Sequence, residues 1–277
     1  MFKLGEMNRL TAVRKTEHGM YFSETKTEEE TVLLPRSEVP ADLKTGDVLT
    51  LFLYRDSSDR IVATVKEPKI RLHEVKLLQV KDTGKIGAFV DWGLAKDLLL
   101  PFREQTKKVS KGEEILAALY IDKTGRLALT MNVYEYLQTD SAYKKDDTVS
   151  ARVYLISDNF GAFAAVDDTY SALIPRKELF SEIRVGDVIT ARVTEVKDDG
   201  KLSLSIRKKA HEQMDDDAEI ILRVIRSYGG KLPFNDKADP ETIKNEFHMS
   251  KAAFKRAVGR LYKERRIEIT PDSIVSL

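Results

Sequence analysis

The 277-residue sequence contains no cysteine. Disulfides, thiolate zinc sites and thiol nucleophiles are therefore excluded. It lacks any apolar run near the roughly 18 residues that a spanning helix needs, so no membrane partner is expected. Met1-Phe2-Lys3-Leu4-Gly5-Glu6 opens no apolar stretch with a small-residue cleavage site. No secretory signal is expected, and the expected location is the cytoplasm. An excess of one charge is missing too: 46 basic side chains face 45 acidic ones, a net +1. Any nucleic-acid binding must then rest on local patches and stacking, not on a global field. There is no Walker-type glycine loop, no His-Glu-x-x-His and no Gly-x-Ser-x-Gly. His211 and His248 show no ligand spacing. No catalytic residue, metal or cofactor is expected, and Asp167-Asp168 and Asp198-Asp199 read as turn residues.

What is present is a repeat. Three segments share a skeleton: Gly19, Pro35, Gly46 and Arg60; Gly87, Pro101, Gly112 and Arg126; Gly161, Pro175, Gly186 and Lys201. The proline-to-glycine step is 11 residues in all three, and the glycine-to-basic step is 14, 14 and 15. Each copy alternates as β-structure does. Ile189, Ala191 and Val193 interleave with Thr190, Arg192 and Thr194. Lys201–Ile206 is a period-two strand after the turn Asp198-Asp199-Gly200, and Asp122-Lys123-Thr124-Gly125 plays the same part before Arg126–Thr130. Five strands in such a span predict three consecutive small OB-type barrels, over residues 1–68, 69–138 and 139–210, so the fold class is mainly β. Linkers such as Glu67-Pro68-Lys69 are short, which predicts barrel-on-barrel contact; Tyr134–Asp147 is expected to hold a helical turn and a hinge.

Strand parity separates core from surface. Ala88, Val90 and Trp92 share one face, as do Ala162, Ala164 and Val166, and Met20 and Phe22. Tyr21, Phe89 and Phe163 fall on the other. The last strands place Ile61, Ala63 and Val65, Leu127 and Leu129, and Leu202, Leu204 and Ile206 inside, with Arg60, Arg126 and Lys201 outside. Each barrel would thus expose one aromatic beside one cation, a pairing that stacks on a base and meets a phosphate.

These residues resemble the S1 RNA-binding domain. That resemblance implies a face of two aromatics three residues apart, a histidine further on, and an Asp and Arg four apart before the last strand. The third repeat has Phe160 and Phe163, with Lys197 and Lys201 at the Asp and Arg positions. The second has Phe89, Asp122 and Arg126, with Ile86 at the first aromatic position. The first has Tyr21, Asp56 and Arg60, with His18 there. The histidine is absent throughout; Pro101 and Pro175 stand in its place, and Pro35 follows a two-residue insertion. The acidic loop Glu28-Glu29-Glu30 would repel phosphate. Repeats two and three are therefore expected to make the main RNA contacts.

After Lys208-Lys209 the period becomes helical. Asp215-Asp216-Asp217 is expected to cap a helix running to about Tyr228, ended by Gly229-Gly230. Asp239-Pro240 opens a second helix, His248-Met249 turns, and Ser250 caps a third. Ile267–Ile269 and Ile274-Val275 form a hairpin. Three helices and a hairpin predict a winged helix-turn-helix over residues 211–277. Lys251, Lys255 and Arg256 mark its third helix as a nucleic-acid or partner contact. The whole arrangement resembles the conserved virulence factor B, or YitL-type, family, which implies a non-enzymatic, RNA-binding regulator of gene expression. Single-stranded RNA is thus the expected partner. A docking adaptor to ribosome or RNA polymerase is the alternative, and a duplex-DNA transcription factor acting through the winged helix a weaker one.

Overall fold

The computed structural model describes residues 2–25, 30–179, 183–206 and 210–277, with side chains in the last stretch from residue 217 onward. Glu28, Glu29, Lys208, Lys209 and the side chain of His211 lie outside the described residues. The chain divides into two compact units, residues 1–206 and 207–277.

The first unit holds three five-stranded barrels. The first comprises β1 (Met7–Thr16), β2 (Gly19–Ser23), β3 (Val32–Pro35), β4 (Val48–Arg55) and β5 (Ile61–Thr64). The second comprises β6 (Val75–Thr83), β7 (Gly87–Val90), β8 (Leu98–Pro101), β9 (Glu114–Ile121) and β10 (Leu127–Thr130). The third comprises β11 (Thr148–Ser157), β12 (Gly161–Val166), β13 (Tyr170–Pro175), β14 (Val188–Val196) and β15 (Leu202–Ser205). The first and third close in the order β1-β2-β3-β5-β4 and its equivalent. The second is nearly closed: β8 and β10 form no ladder, and the Met131 N–H bridges to the Glu104 carbonyl at 2.8 Å just past the gap.

The repeat landmarks have physical causes. Gly19, Gly87 and Gly161 have φ of 147°, 154° and 119°. A Cβ there would lie 2.1, 2.2 and 2.1 Å from the carbonyl oxygens of Leu34, Leu100 and Ile174, so no side chain fits. The acid after the second glycine closes a turn: Asp47, Glu113 and Asp187 accept from the N–H groups of Lys44, Ser110 and Arg184 at 2.7 to 2.9 Å. The first strand of every barrel is bulged at one place, Ala12/Arg14, Val80/Asp82 and Val153/Leu155, which lets it bend into both halves of the barrel. The proline opens a 3₁₀ turn ending in Glu38, Glu104 or Glu178. The Glu38 carboxylate accepts from the Thr64 hydroxyl, and that of Glu178 from Ser205 at 2.7 Å, tying this turn to the last strand. This Pro-x-x-Glu element was not used in the sequence reading.

Adjacent barrels meet through strands apolar on both faces. In β4, Leu51 and Leu53 enter the first barrel's core, while Phe52 and Tyr54 point into the second barrel's. In β9, Ile115, Ala117 and Leu119 point inward, while Leu116 and Ala118 join Tyr154 and Ala165 of the third barrel. The equivalent β14 keeps Ala191 and Val193 buried but leaves Thr190 exposed. Burying one large apolar side chain in these seams contributes about 1.5–3 kcal/mol.

Three expectations change. Trp92 lies beyond β7 and stacks edge-on against Phe52 and Tyr54 of the first barrel, at 5.7 and 5.9 Å between centroids, instead of simply continuing its own barrel's interior face. Val65 follows the end of β5 and is exposed, because its N–H is drawn to the Glu38 carboxylate. The segment after Tyr134 contains the expected helical turn but no hinge. Val133 and Leu137 are buried in the seam, and Gln138 pairs with Thr169 and Ser171 through backbone bonds of 2.9 Å.

The second unit contains α1 (Ala210–Ser227), β16 (Lys231–Leu232), α2 (Pro240–Phe247), α3 (Lys251–Lys263), β17 (Ile267–Ile269) and β18 (Ile274–Ser276). Asp215–Asp217 sit inside α1, not at its start, since the helix begins at Ala210. Asp239 and Ser250 cap α2 and α3 as expected, and His248 closes α2 in the left-handed conformation. The hairpin gains a third strand, in the order β16-β18-β17. Ile221, Ile225, Phe247, Phe254 and Leu261 form its core. Among the described residues, no helix is long and apolar enough to cross a membrane.

Candidate nucleic-acid interface

The third barrel carries the most open aromatic surface. Phe160, just before β12, is 62% exposed, and its ring centroid lies 6.3 Å from that of Phe163. Phe163 is half-buried: its ring meets Tyr134 edge-on at 5.8 Å and Tyr154 at 6.4 Å, on the margin of the seam with the second barrel. Tyr134 comes from the 3₁₀ turn between the barrels and is 38% exposed. The Lys201 ammonium stands 5.1 Å over its ring. It also donates to Asp199 at 2.9 Å. That hydrogen bond, then the one to Tyr134, pushes the Lys201 pKa up, while the Lys201 hydrogen bond holds Asp199 below the usual carboxylate range. Lys197 is exposed, and its charge reaches Asp199. The structure thus brings Phe160, Phe163 and Lys201 together and adds Tyr134, which the reading by repeats had left in the linker. Beneath them the Tyr154 hydroxyl is buried without a partner among the described residues, and burial pushes its pKa up.

The second barrel's residues also converge, but under cover. Phe89 is half-buried and packs over Gly84. Asp122 accepts from the Thr124 N–H and hydroxyl and the Arg126 N–H at 2.7 to 3.1 Å. Burial alone would raise its pKa, but these hydrogen bonds and the Arg126 charge hold it below the usual range. Arg126 does not face solvent alone. Its guanidinium pairs with Asp59 of the first barrel at 3.1 Å. Arg55 of the first barrel donates to the Gly125 carbonyl at 3.1 Å, and Lys96 to the Asp56 carbonyl at 3.1 Å. The first barrel's turn therefore rests on the second barrel's face.

In the first barrel, Tyr21 is half-buried, and the cation over its ring is Arg14 at 4.8 Å. Arg60 pairs with Asp56 of its own turn at 2.8 Å. The expectation of three aromatics projecting into solvent beside a cation is thus corrected. All three rings are half-buried, because a neighbouring barrel, loop or arginine covers each. The exposed rings are the ones at, or next to, the first aromatic position.

In the second unit, the outer face of α3 carries Ala252, Lys255, Arg256, Gly259, Tyr262 and Lys263 at helical spacing, all exposed. Arg260 pairs with Glu264 at 2.7 Å, and Arg266 with Glu219 at 2.9 Å. Lys255 and Arg256 have no ion pair among the described residues. Lys251 is half-buried, with its ammonium turned to the Lys237 carbonyl at 3.4 Å. No cluster of three metal-ligating side chains occurs among the described residues.

Comparison with known proteins places these surfaces in a wider set. The S1 domain family model matches residues 4–66 and 74–132. The second domain of virulence regulatory factor CvfB matches 134–208, and the CvfB-like winged helix domain matches 219–275. The chain is 32% identical over 274 residues to YitL of Bacillus subtilis (strain 168), covering 95% of this chain and 90% of YitL. It is 33% identical over 258 residues to conserved virulence factor B of Staphylococcus aureus (strain N315), covering 88% and 85%. A crystal structure of a multidomain protein with nucleic acid binding domains from Streptococcus pneumoniae TIGR4 is similar across 99% of this chain and 98% of that one, at 25% identity and a TM-score of 0.50.

Proposed function

The chain belongs to the conserved virulence factor B family, and from that premise we propose that it is a non-catalytic, single-stranded RNA-binding regulator of gene expression. The observation that carries the reading is the surface formed by Phe160, Phe163 and Tyr134 with Lys201 above it. Two exposed rings and a cation at this spacing suit unpaired bases on a strand, each stacked base contributing about 1–3 kcal/mol. Duplex offers no free base faces to such a surface. Phe160, Phe163, Lys197 and Lys201 are the main contact in this reading. Phe89, Asp122 and Arg126 form a second, partly covered one, and Tyr21, Asp56 and Arg60 serve the first barrel's structure.

The test is a titration against poly(U), poly(A) and duplex DNA at two salt concentrations. Binding to single strands with a shallow salt dependence supports stacking; a steep slope without strand preference would show simple charge attraction and reject the reading. A second reading, a protein-docking adaptor to ribosome or RNA polymerase, draws on the pairing of all three repeat cations with carboxylates: Arg60 with Asp56, Arg126 with Asp59 and Lys201 with Asp199. It requires a partner that stays bound after nuclease treatment. A duplex-DNA transcription factor would work through Lys255 and Arg256 on α3, and the duplex arm of the titration tests it.

A further inference from the structure

The first barrel's turn does more than cover the second barrel's face: between the two lies a cavity of about 250 Å³. Tyr54, Arg55 and Asp59 come from the first barrel, and Phe89, Trp92 and Arg126 from the second, so neither barrel makes it alone. It reaches the surface at Ile86, which is 60% exposed. Its walls are aromatic and aliphatic, with Leu98, Leu99 and Leu127 completing them.

The charges around it are balanced and occupied. Three cations, Arg55, Lys96 and Arg126, stand with three carboxylates, Asp59, Asp97 and Asp122. Arg126 holds Asp59, Asp97 is paired with Lys81 at 3.1 Å, and Asp122 is spent on its own turn. Arg55 and Lys96 are engaged by backbone carbonyls. The Trp92 indole N–H is satisfied by the Lys96 carbonyl at 2.6 Å. A phosphate-rich ligand would find no spare cation here. A flat, uncharged ring system would find aromatic surface and a rim of oriented polar groups. The volume lies just under the roughly 300–1,000 Å³ of pockets for drug-sized ligands, which suits one base and not two.

We propose that this inter-barrel cavity is a nucleobase pocket that takes a single nucleoside base, free or at the end of a strand. The inference rests on the proposed function for its class of ligand, but it concerns a different place and a different chemistry from the open surface of the third barrel.

Trp92 is the sole tryptophan of the chain, so its fluorescence reports on this cavity directly. Full-length protein is titrated with adenosine, guanosine, cytidine and uridine, and with the corresponding 5′-monophosphates. At least one nucleoside should give a saturable change in Trp92 emission, and its monophosphate should bind no more tightly. Phe89→Leu keeps the apolar volume and removes the stacking face; it should weaken that nucleoside at least fivefold with an unchanged circular dichroism spectrum. Ile86→Ala, at the exposed rim, provides the same readout should Phe89→Leu fail to fold. No saturable change with any nucleoside at millimolar concentration overturns the proposal, as does a response that a folded variant leaves intact or a clear preference for the monophosphate. The two readings fail separately. RNA binding without a nucleoside response refutes the pocket alone; a nucleoside response without RNA binding refutes the third-barrel reading alone.

Discussion

The second and third barrels start from matched sequence landmarks and end with different faces. In the third, Phe160 and Tyr134 are exposed and Lys201 stands over the Tyr134 ring. In the second, Arg126 is held by Asp59 of the first barrel, and Phe89 lies at the edge of a cavity. The cause is position in the row. The second barrel has a neighbour whose turn reaches its binding face; the third has its linker, which contributes a tyrosine instead of an acid. Repeats that are equivalent as sequences thus become one open platform and one roofed pocket through what packs next to them.

Four experiments break or sharpen that contrast. The largest effect is expected at the seam that makes the roof. Trp92→Ala removes a ring 2% exposed and stacked on Phe52 and Tyr54, and should cost about 3–5 kcal/mol in denaturant unfolding followed by circular dichroism. Tolerance of the change within ~1 kcal/mol would show that the two barrels are not energetically joined. Next in size is the open platform. The double variant Phe160→Ala, Tyr134→Ala should weaken single-stranded RNA binding at least tenfold, since two stacking surfaces are lost, with little change in melting temperature because both rings are exposed. Equal affinity in the folded variant would reject the platform.

A smaller change is expected on lifting the roof. Asp59→Ala releases Arg126 to meet a phosphate, so the salt dependence of RNA binding should steepen by about 0.7 in log–log slope. An unchanged slope would show that Arg126 finds no phosphate even when freed. The smallest effect lies in acid. Asp122 has its pKa below the ordinary value in the folded chain, so its contribution to stability is full above the unfolded carboxylate pKa and is lost as pH falls through the lower folded value. Thermal melts from pH 5 to pH 2 should therefore fall more for the parent protein than for Asp122→Asn. Parallel loss in both would place the acid sensitivity elsewhere.

Much of the fold is legible from residues. The three glycines that abut a carbonyl, the constant 11-residue step and the capped helices at Asp239 and Ser250 all state local requirements of backbone geometry. One signal was legible but unread. Leu51-Phe52-Leu53-Tyr54 and Ile115–Leu119 are apolar on both faces, whereas Ile189–Thr194 alternates. The first two are barrels with a neighbour on that side, and the third is not. The Pro-x-x-Glu turn was likewise present in every copy. The site was less legible. Phe160 could be aligned with a binding position, but Tyr134 sits outside the repeat, and the partnership of Arg126 with Asp59 spans 67 residues.

By itself the sequence determined the elements: barrels from period-two strands punctuated by obligatory glycines, then helices with their caps. Those preferences are settled by sterics and hydrogen bonding within a few residues of chain. Which aromatic remained open, which cation was neutralised and where a cavity formed were decided only by tertiary structure. Burial and charge pairing depend on groups that approach through space, and no spacing along the chain records that approach.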